Sequence, residues 1–350
     1  MHGRVKSVER EKEEKKTDEE RREDLAKVRM YHEVAGKVLA LKKQKLYEPH
    51  VLPLTSHLLL LNPEFHMVWS YRREVIDALA TKADDPTTEM QEIAKTELKL
   101  TLRNPKSYSA WFQRQWIIDR GLGDLKKEIG LCNKLLDLGK PLSSTPLLPL
   151  RGHVLTHANV PFPFGLLAFL ADERNFHCWN YRRHVCKLAG VPLEDQLGYT
   201  TQKIEQNFSN YSALHHRSIV LPDPLTADVL FDEIGTVQQA VFTEPDDQSA
   251  WFYYRWLLTS MMELVESSAE DAAGFLRSQV QWMDELIEME ANAKWVIVTL
   301  ADLYYRIGAI DSVGGAEEAK KKSADLYQRA VAIDPDHRRY YEDMAKKNAL

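Results

Sequence analysis

The sequence predicts an all-α fold, a right-handed superhelix in which antiparallel helical hairpins stack into a crescent solenoid. Three observations carry that expectation. Five stretches share one pattern, a polar turn led by Asn, Asp or Glu and then an aromatic residue and an arginine one helical turn later: Asn62-Pro63 to Arg73, Asn104-Pro105 to Arg114, Glu173-Arg174-Asn175 to Arg183, Asn207 to Arg217 and Glu244-Pro245 to Arg255. The anchors of these stretches, at 69, 111, 179, 214 and 251, lie 42, 68, 35 and 37 residues apart, and three of the four steps fit a helical-hairpin repeat. Within a stretch, Trp69 and Arg72/Arg73, or Trp179 and Arg182/Arg183, stand three and four residues apart and so share a helix face.

Taken in order, residues 1–16 alternate in charge and carry almost nothing apolar, which predicts a solvated, flexible segment. A single superhelical repeat domain is expected over 17–350. Thr17-Asp18-Glu19-Glu20 is a capping box, so the first helix should start there and run past Tyr31 toward Lys43. Paired helices follow. The first helix of a pair is apolar and stops at the polar turn, as Leu58-Leu59-Leu60-Leu61 stops at Asn62-Pro63, because proline disfavours a helical residue before it.

The second helix carries the anchors Trp69, Arg72, Arg73, Trp111, Arg114, Trp179, Arg182, Arg183, Arg217, Trp251 and Arg255, whose expected role is first of all packing between hairpins. The overlong step contains five prolines and no helical period at about 139–170, either a long surface loop or a translated intron. Farther on, Trp295 reads as a degenerate sixth anchor, and Ser323 to Pro335 as one more hairpin.

Composition excludes several classes. Lys and Arg number 46 against 52 Asp and Glu, interspersed, which leaves no electrostatic footprint for nucleic acid or an anionic membrane. Three cysteines without a CxxC spacing build neither a disulfide framework nor a structural zinc site, and buried thiols are expected. The N-terminus lacks the apolar core of a signal peptide and no apolar run is long enough to span a bilayer, so a cytoplasmic protein without membrane insertion is expected.

No HExxH, GxSxG, Walker or GxGxxG motif is present, and the chain by itself reads as a scaffold. Function would then sit at the turns, which a solenoid aligns along one rim. Lys106, Tyr108, Phe176, His177 and Tyr211 fall there, a cation, phenols and an imidazole suited to a phosphorylated or acidic partner.

With these residues in view, the repeats resemble those of protein prenyltransferase alpha subunits, and within that family the Rab (type II) geranylgeranyltransferase branch. The stretches that carry the likeness are Met1-His2-Gly3-Arg4, Asn104-Pro105-Lys106-Ser107-Tyr108, Glu173 to Trp179, Asn207 to Ser212 and Asp246 to Tyr253. The resemblance implies an obligate heterodimer with a beta subunit that holds zinc and most of the isoprenoid pocket. It implies transfer of geranylgeranyl from geranylgeranyl diphosphate to C-terminal cysteines of Rab GTPases presented by a Rab escort protein. By the same resemblance Lys106 contacts the diphosphate, with Tyr108 and His177 close by, and Tyr211 and the anchors line the partner interface. The insertion departs from the family pattern, and Leu214 stands where the other repeats have Trp.

Two other readings stay open on the sequence: a farnesyltransferase or type-I geranylgeranyltransferase alpha subunit, and a tetratricopeptide-like scaffold. Three further expectations follow. A face of repeated Trp, Tyr and Arg should make the isolated chain depend on its partner. The segment 139–170 should be dispensable for assembly. His2, on an open terminus, is a candidate transient ligand to the partner's zinc.

Overall fold

The computed structural model describes residues 17–137, 172–265, 268–310 and 315–348. The N-terminal segment with His2 and the insertion at about 139–170 lie outside the described residues. Among the described residues there are fifteen α-helices and no strand. The chain divides into two compact units, Met1–Gly190 and Val191–Leu350.

In the first unit, α1 (Asp18–Lys43) begins at the expected capping box: the Glu20 N–H donates to Thr17 Oγ1 at 3.2 Å and the Thr17 N–H to Glu20 Oε2 at 2.8 Å. Helix α2 (Val51–Leu61) stops at Asn62, whose φ of −139° and ψ of 87° take it out of the helix before Pro63. After α3 (His66–Lys82), Asp85 caps α4 (Pro86–Thr101) through Oδ1, with proline in the first position where its missing N–H costs nothing. Helix α5 (Tyr108–Asp119) is capped by Ser107, and α6 (Leu125–Asp137) leads to α7 (Phe176–Leu188), capped by Asn175. Gly190, at φ +63°, closes α7 in the left-handed region that glycine reaches without strain. Consecutive helices from α1 to α5 pack on one another, as do α6 and α7. Val38, Leu58, Leu59, Val68, Trp69 and Tyr71 lie at the centre of the N-terminal core.

The second unit holds α8 (Leu193–Gln206), α9 (Tyr211–Val220), α10 (Ala227–Thr243), α11 (Gln248–Val265), α12 (Ala269–Met289), α13 (Lys294–Ile310), α14 (Ala316–Ile333) and α15 (Arg338–Asn348). Pairs α8/α9, α10/α11, α12/α13 and α14/α15 are hairpins, and α13 also packs on α14. The further hairpin expected around Ser323 to Pro335 is present as α14 and α15, with Asp334-Pro335 at its turn.

One turn recurs seven times among the described residues. Asn62, Asn104, Asp172, Asn207, Glu244, Glu290 and Asp334 each accept a backbone hydrogen bond from the residue three positions on. Seven residues after each turn leader comes a buried anchor: Trp69, Trp111, Trp179, Leu214, Trp251, Ile297 and Tyr341. The register corrects two sequence expectations. The third turn is led by Asp172 rather than Glu173, and the sixth anchor is Ile297 rather than Trp295, which lies half-buried with its ring centroid 5.4 Å from that of Phe252. Four anchors are tryptophan for a local reason. The indole N–H donates to the carbonyl six residues back, at Pro63 (2.8 Å), Pro105 (2.7 Å), Glu173 (2.8 Å) and Pro245 (2.8 Å), which fastens the helix to its own turn.

Three residues past each of the first four anchors sits a buried arginine, and three of these build one motif. Arg114 of α5 reaches back within its hairpin to the Leu98 carbonyl (2.8 Å) and Thr101 Oγ1 (3.0 Å), and forward to Glu128 of α6 through Nε (2.6 Å) and Nη2 (2.7 Å). Arg217 does the same with Leu197, Thr200 and Glu233. Arg72 joins Leu52, Thr55 and Glu97, with both partners of the pair 1% exposed. Each carboxylate takes a further bond from its own hairpin, from Gln113, Tyr181 and Tyr253 respectively for Glu97, Glu128 and Glu233. Such full satisfaction is what lets two charges leave water together. In the fifth repeat the position belongs to Tyr254, not to Arg255, and the lock is neutral: Tyr254 Oη donates to Gln279 Oε1 at 2.9 Å. Arg182, in the third, donates to Asn133 Oδ1 at 2.8 Å.

Candidate functional site

The turn geometry decides which side chains face outward. The first residue of each second helix stands three before the anchor, and the residue after the anchor stands one turn along the same face. Those two positions hold Tyr108 and Phe112 on α5, Phe176 on α7, Tyr211 on α9 and Phe252 on α11, all exposed. The anchors themselves are not on this face. Trp69, Trp111, Trp179, Trp251, Arg72, Arg114, Arg182 and Arg217 are buried between helices, so the exposed aromatic surface expected of them is made instead by their neighbours. Arg73, Arg183 and Arg255, one position farther along, are half-buried. Arg73 lies over the Phe112 ring at 5.1 Å and donates to Gln113 Oε1 at 3.1 Å, linking the first hairpin to the second. Phe112 and Phe252 were not singled out from the sequence; their place one residue after a tryptophan was the signal.

Turns within the first unit are bound edge to edge. The Pro63 carbonyl accepts from Trp69 and from Ser107 Oγ (3.1 Å), and the Pro105 carbonyl accepts from Trp111 and from Asn175 Nδ2 (2.9 Å). This ladder brings four of the five expected rim residues together. The Tyr108 and His177 rings meet edge to face at 4.1 Å, Phe176 lies 3.9 Å from His177, and Tyr108 and Phe176 are 5.5 Å apart. Lys106 Nζ is 3.5 Å from Asp172 Oδ2, with the lysine side chain 78% exposed and the aspartate 36%. Tyr211 belongs to the second unit, where it lines a groove of about 580 Å³ with Leu214, His215, Phe252 and Trp256.

His177 is not the half-exposed turn residue that its position suggests. Tyr108 and Phe176 cover it, and burial lowers its pKa, opposed by the Glu64 carboxylate and a hydrogen bond with the Lys106 main chain. Nearby, Ser109 Oγ lies 3.2 Å from Glu64 Oε2 and 2.7 Å from His66 Nδ1. The corner thus offers an exposed ammonium, a phenol and a largely neutral imidazole, a set that can meet anionic oxygens with one full charge and several donors. The cysteines are buried thiols, as expected, and burial pushes Cys178 and Cys186 up. Among the described residues no three His, Cys, Asp or Glu side chains are grouped to hold a metal ion. No helix among them is long and apolar enough to cross a membrane.

Comparison with known proteins bears on this geometry. Residues 90–121, 193–222 and 230–261 match the protein prenyltransferase alpha subunit repeat, each window covering a polar turn and the two helices it joins. The human geranylgeranyl transferase type-2 subunit alpha is 36% identical over 276 residues, 74% of this chain, and the chain spans only 42% of that relative's length. The Dictyostelium discoideum protein of the same name is 32% identical over 348 residues, 95% of this chain and 96% of the relative. Among solved structures, a chain of Candida albicans protein geranylgeranyltransferase-I complexed with GGPP matches with a TM-score of 0.66, covering 91% of both chains at 17% identity, a likeness of fold.

Proposed function

The chain belongs to the protein prenyltransferase alpha-subunit family, in its type-2 geranylgeranyltransferase branch, and from that premise we propose that it is the alpha subunit of a heterodimeric Rab geranylgeranyltransferase. The observation that carries the reading is the end-to-end likeness to the Dictyostelium relative, since a scaffold of another class would share hairpins but not whole-length sequence. Membership in the family removes the tetratricopeptide alternative.

In this reading the exposed aromatic positions Tyr108, Phe112, Phe176, Tyr211 and Phe252 meet a beta subunit, which holds the zinc that activates the acceptor thiolate. A Rab escort protein presents the Rab GTPase, and the reaction runs in the cytoplasm. Carbon–sulfur bond formation at the isoprenoid accompanies cleavage of its carbon–oxygen bond, and the electron pair leaves with the diphosphate. Lys106 faces that growing charge, Tyr108 adds a hydroxyl donor, and His177 supports the Tyr108 ring at van der Waals distance. A cation aimed at charge that develops in the transition state speeds the chemical step more than it tightens binding.

The test is reconstitution. This chain alone should transfer nothing; co-expressed with a beta subunit and supplied with escort protein, it should move labelled geranylgeranyl to Rab. Lys106→Ala in the intact heterodimer should slow single-turnover transfer by about 10²-fold or somewhat less, on the scale of one preorganised donor. Preference for farnesyl diphosphate and CaaX-type acceptors would overturn the type-2 assignment, and an unchanged chemical step in Lys106→Ala would remove the lysine from the site.

A further inference from the structure

Asp172 occupies a turn position that an amide fills elsewhere. Asn62, Asn104 and Asn207 lead the first, second and fourth turns, and Asp172 leads the third. What the turn itself needs from this side chain is an acceptor. Asp172 Oδ1 accepts from the Arg174 N–H at 3.0 Å, and Asn207 Oδ1 accepts from the Ser209 N–H at the same 3.0 Å. The carboxylate adds a second, charged oxygen, and it is this Oδ2 that lies 3.5 Å from Lys106 Nζ.

We propose that Asp172 is a positioning residue for Lys106, holding its ammonium partly back from the bound diphosphate until charge grows on the leaving oxygen. The inference rests on the role given to Lys106 above. A lysine 78% exposed on a four-carbon stem is otherwise free to engage the diphosphate fully in the ground state. The part of that contact already made in the ground state lowers the dissociation constant without raising the rate, because ground and transition states gain it alike. A fixed carboxylate beside the ammonium weakens the ground-state contact. As the carbon–oxygen bond breaks, the more negative leaving group outcompetes it and the lysine changes partner. The Oδ1 bond to the turn keeps Asp172 in place throughout.

The experiment uses the heterodimer and geranylgeranyl diphosphate with Asp172→Asn, Lys106→Ala and the double variant. Asparagine is native to this position in three other turns, so melting temperature should be unchanged. Asp172→Asn should tighten geranylgeranyl diphosphate binding about two- to fivefold, the scale of an exposed ion pair, and should leave single-turnover transfer unchanged or faster by no more than that factor, because the ion pair is broken on the way to the transition state. The tightening should vanish in the Lys106→Ala background. Unaltered binding or slower transfer in Asp172→Asn, or a tightening that persists without the lysine, would overturn the inference and leave Lys106 its role. An unchanged rate in Lys106→Ala alone would refute the lysine's role, and this inference with it.

Discussion

Glu128 joins the two helices on which the candidate site stands, and removing it should be costly in a calculable way. Arg114 binds it from α5, the helix that starts at Tyr108, and Tyr181 Oη binds it at 2.7 Å from α7, the helix that starts at Phe176 and His177. Burial pulls the Arg114 guanidinium down, yet the Glu128 charge and hydrogen bond outweigh it and the net shift is upward. Glu128→Ala leaves that guanidinium buried without its counter-ion, which costs about 3–5 kcal/mol. At roughly 2–4 °C per kcal/mol for a unit of this size, melting should fall by about 6–20 °C. Tyr181→Phe removes one bond to a charged acceptor and should cost about 1.5–3 kcal/mol. Arg114→Met and Glu128→Leu combined with Tyr181→Phe, which removes the hydroxyl that Glu128 otherwise satisfies, should recover most of the loss, because an uncharged lock at the same register already exists in Tyr254 and Gln279. Chemical denaturation of the heterodimer, followed by tryptophan fluorescence, measures all three. A loss below about 1 kcal/mol in Glu128→Ala would refute the argument, since it would mean the guanidinium finds water or another acceptor where the structure leaves it buried.

Two further outcomes are expected. Phe112→Asp and Phe252→Asp, at exposed positions, should change the stability of this chain by no more than about 0.5 kcal/mol yet weaken beta-subunit binding at least tenfold, read by sedimentation or calorimetry; undisturbed binding would place the interface elsewhere. His177 has a folded-state pKa lowered by burial, so the unfolded chain takes up a proton first as pH falls below about 6.5. Its contribution to stability is therefore complete above that pH, is lost as pH falls toward the folded-state pKa, and then levels off; the pH 5–7.5 stability slope should be shallower in His177→Gln, and equal slopes would contradict the shift.

The repeat was legible in the sequence because every part of it is local. A polar turn, an anchor seven residues on and an arginine three beyond are set by backbone chemistry and by the 3.6-residue period, which act within one hairpin. The capping box at Thr17 and the break at Asn62-Pro63 are legible for the same reason, and so is the gathering of Lys106, Tyr108 and His177 at neighbouring turns. The family likeness rests on the same residues.

What lay beyond the sequence was the meeting of one hairpin with the next. Glu97, Glu128 and Glu233 answer Arg72, Arg114 and Arg217 from 25, 14 and 16 residues away, a spacing with no period because the links between hairpins differ in length. Register between similar residues also needed packing: Tyr254 and Ile297 turn inward, where Arg255 and Trp295 had looked the better candidates. Composition and periodicity determined that this protein is made of helical hairpins with a turn rich in polar groups. Only the tertiary structure decided that the tryptophans close the interior and leave Phe112 and Phe252 outside. A helix fixes the angle between its side chains, but its neighbours determine which of those angles meets water.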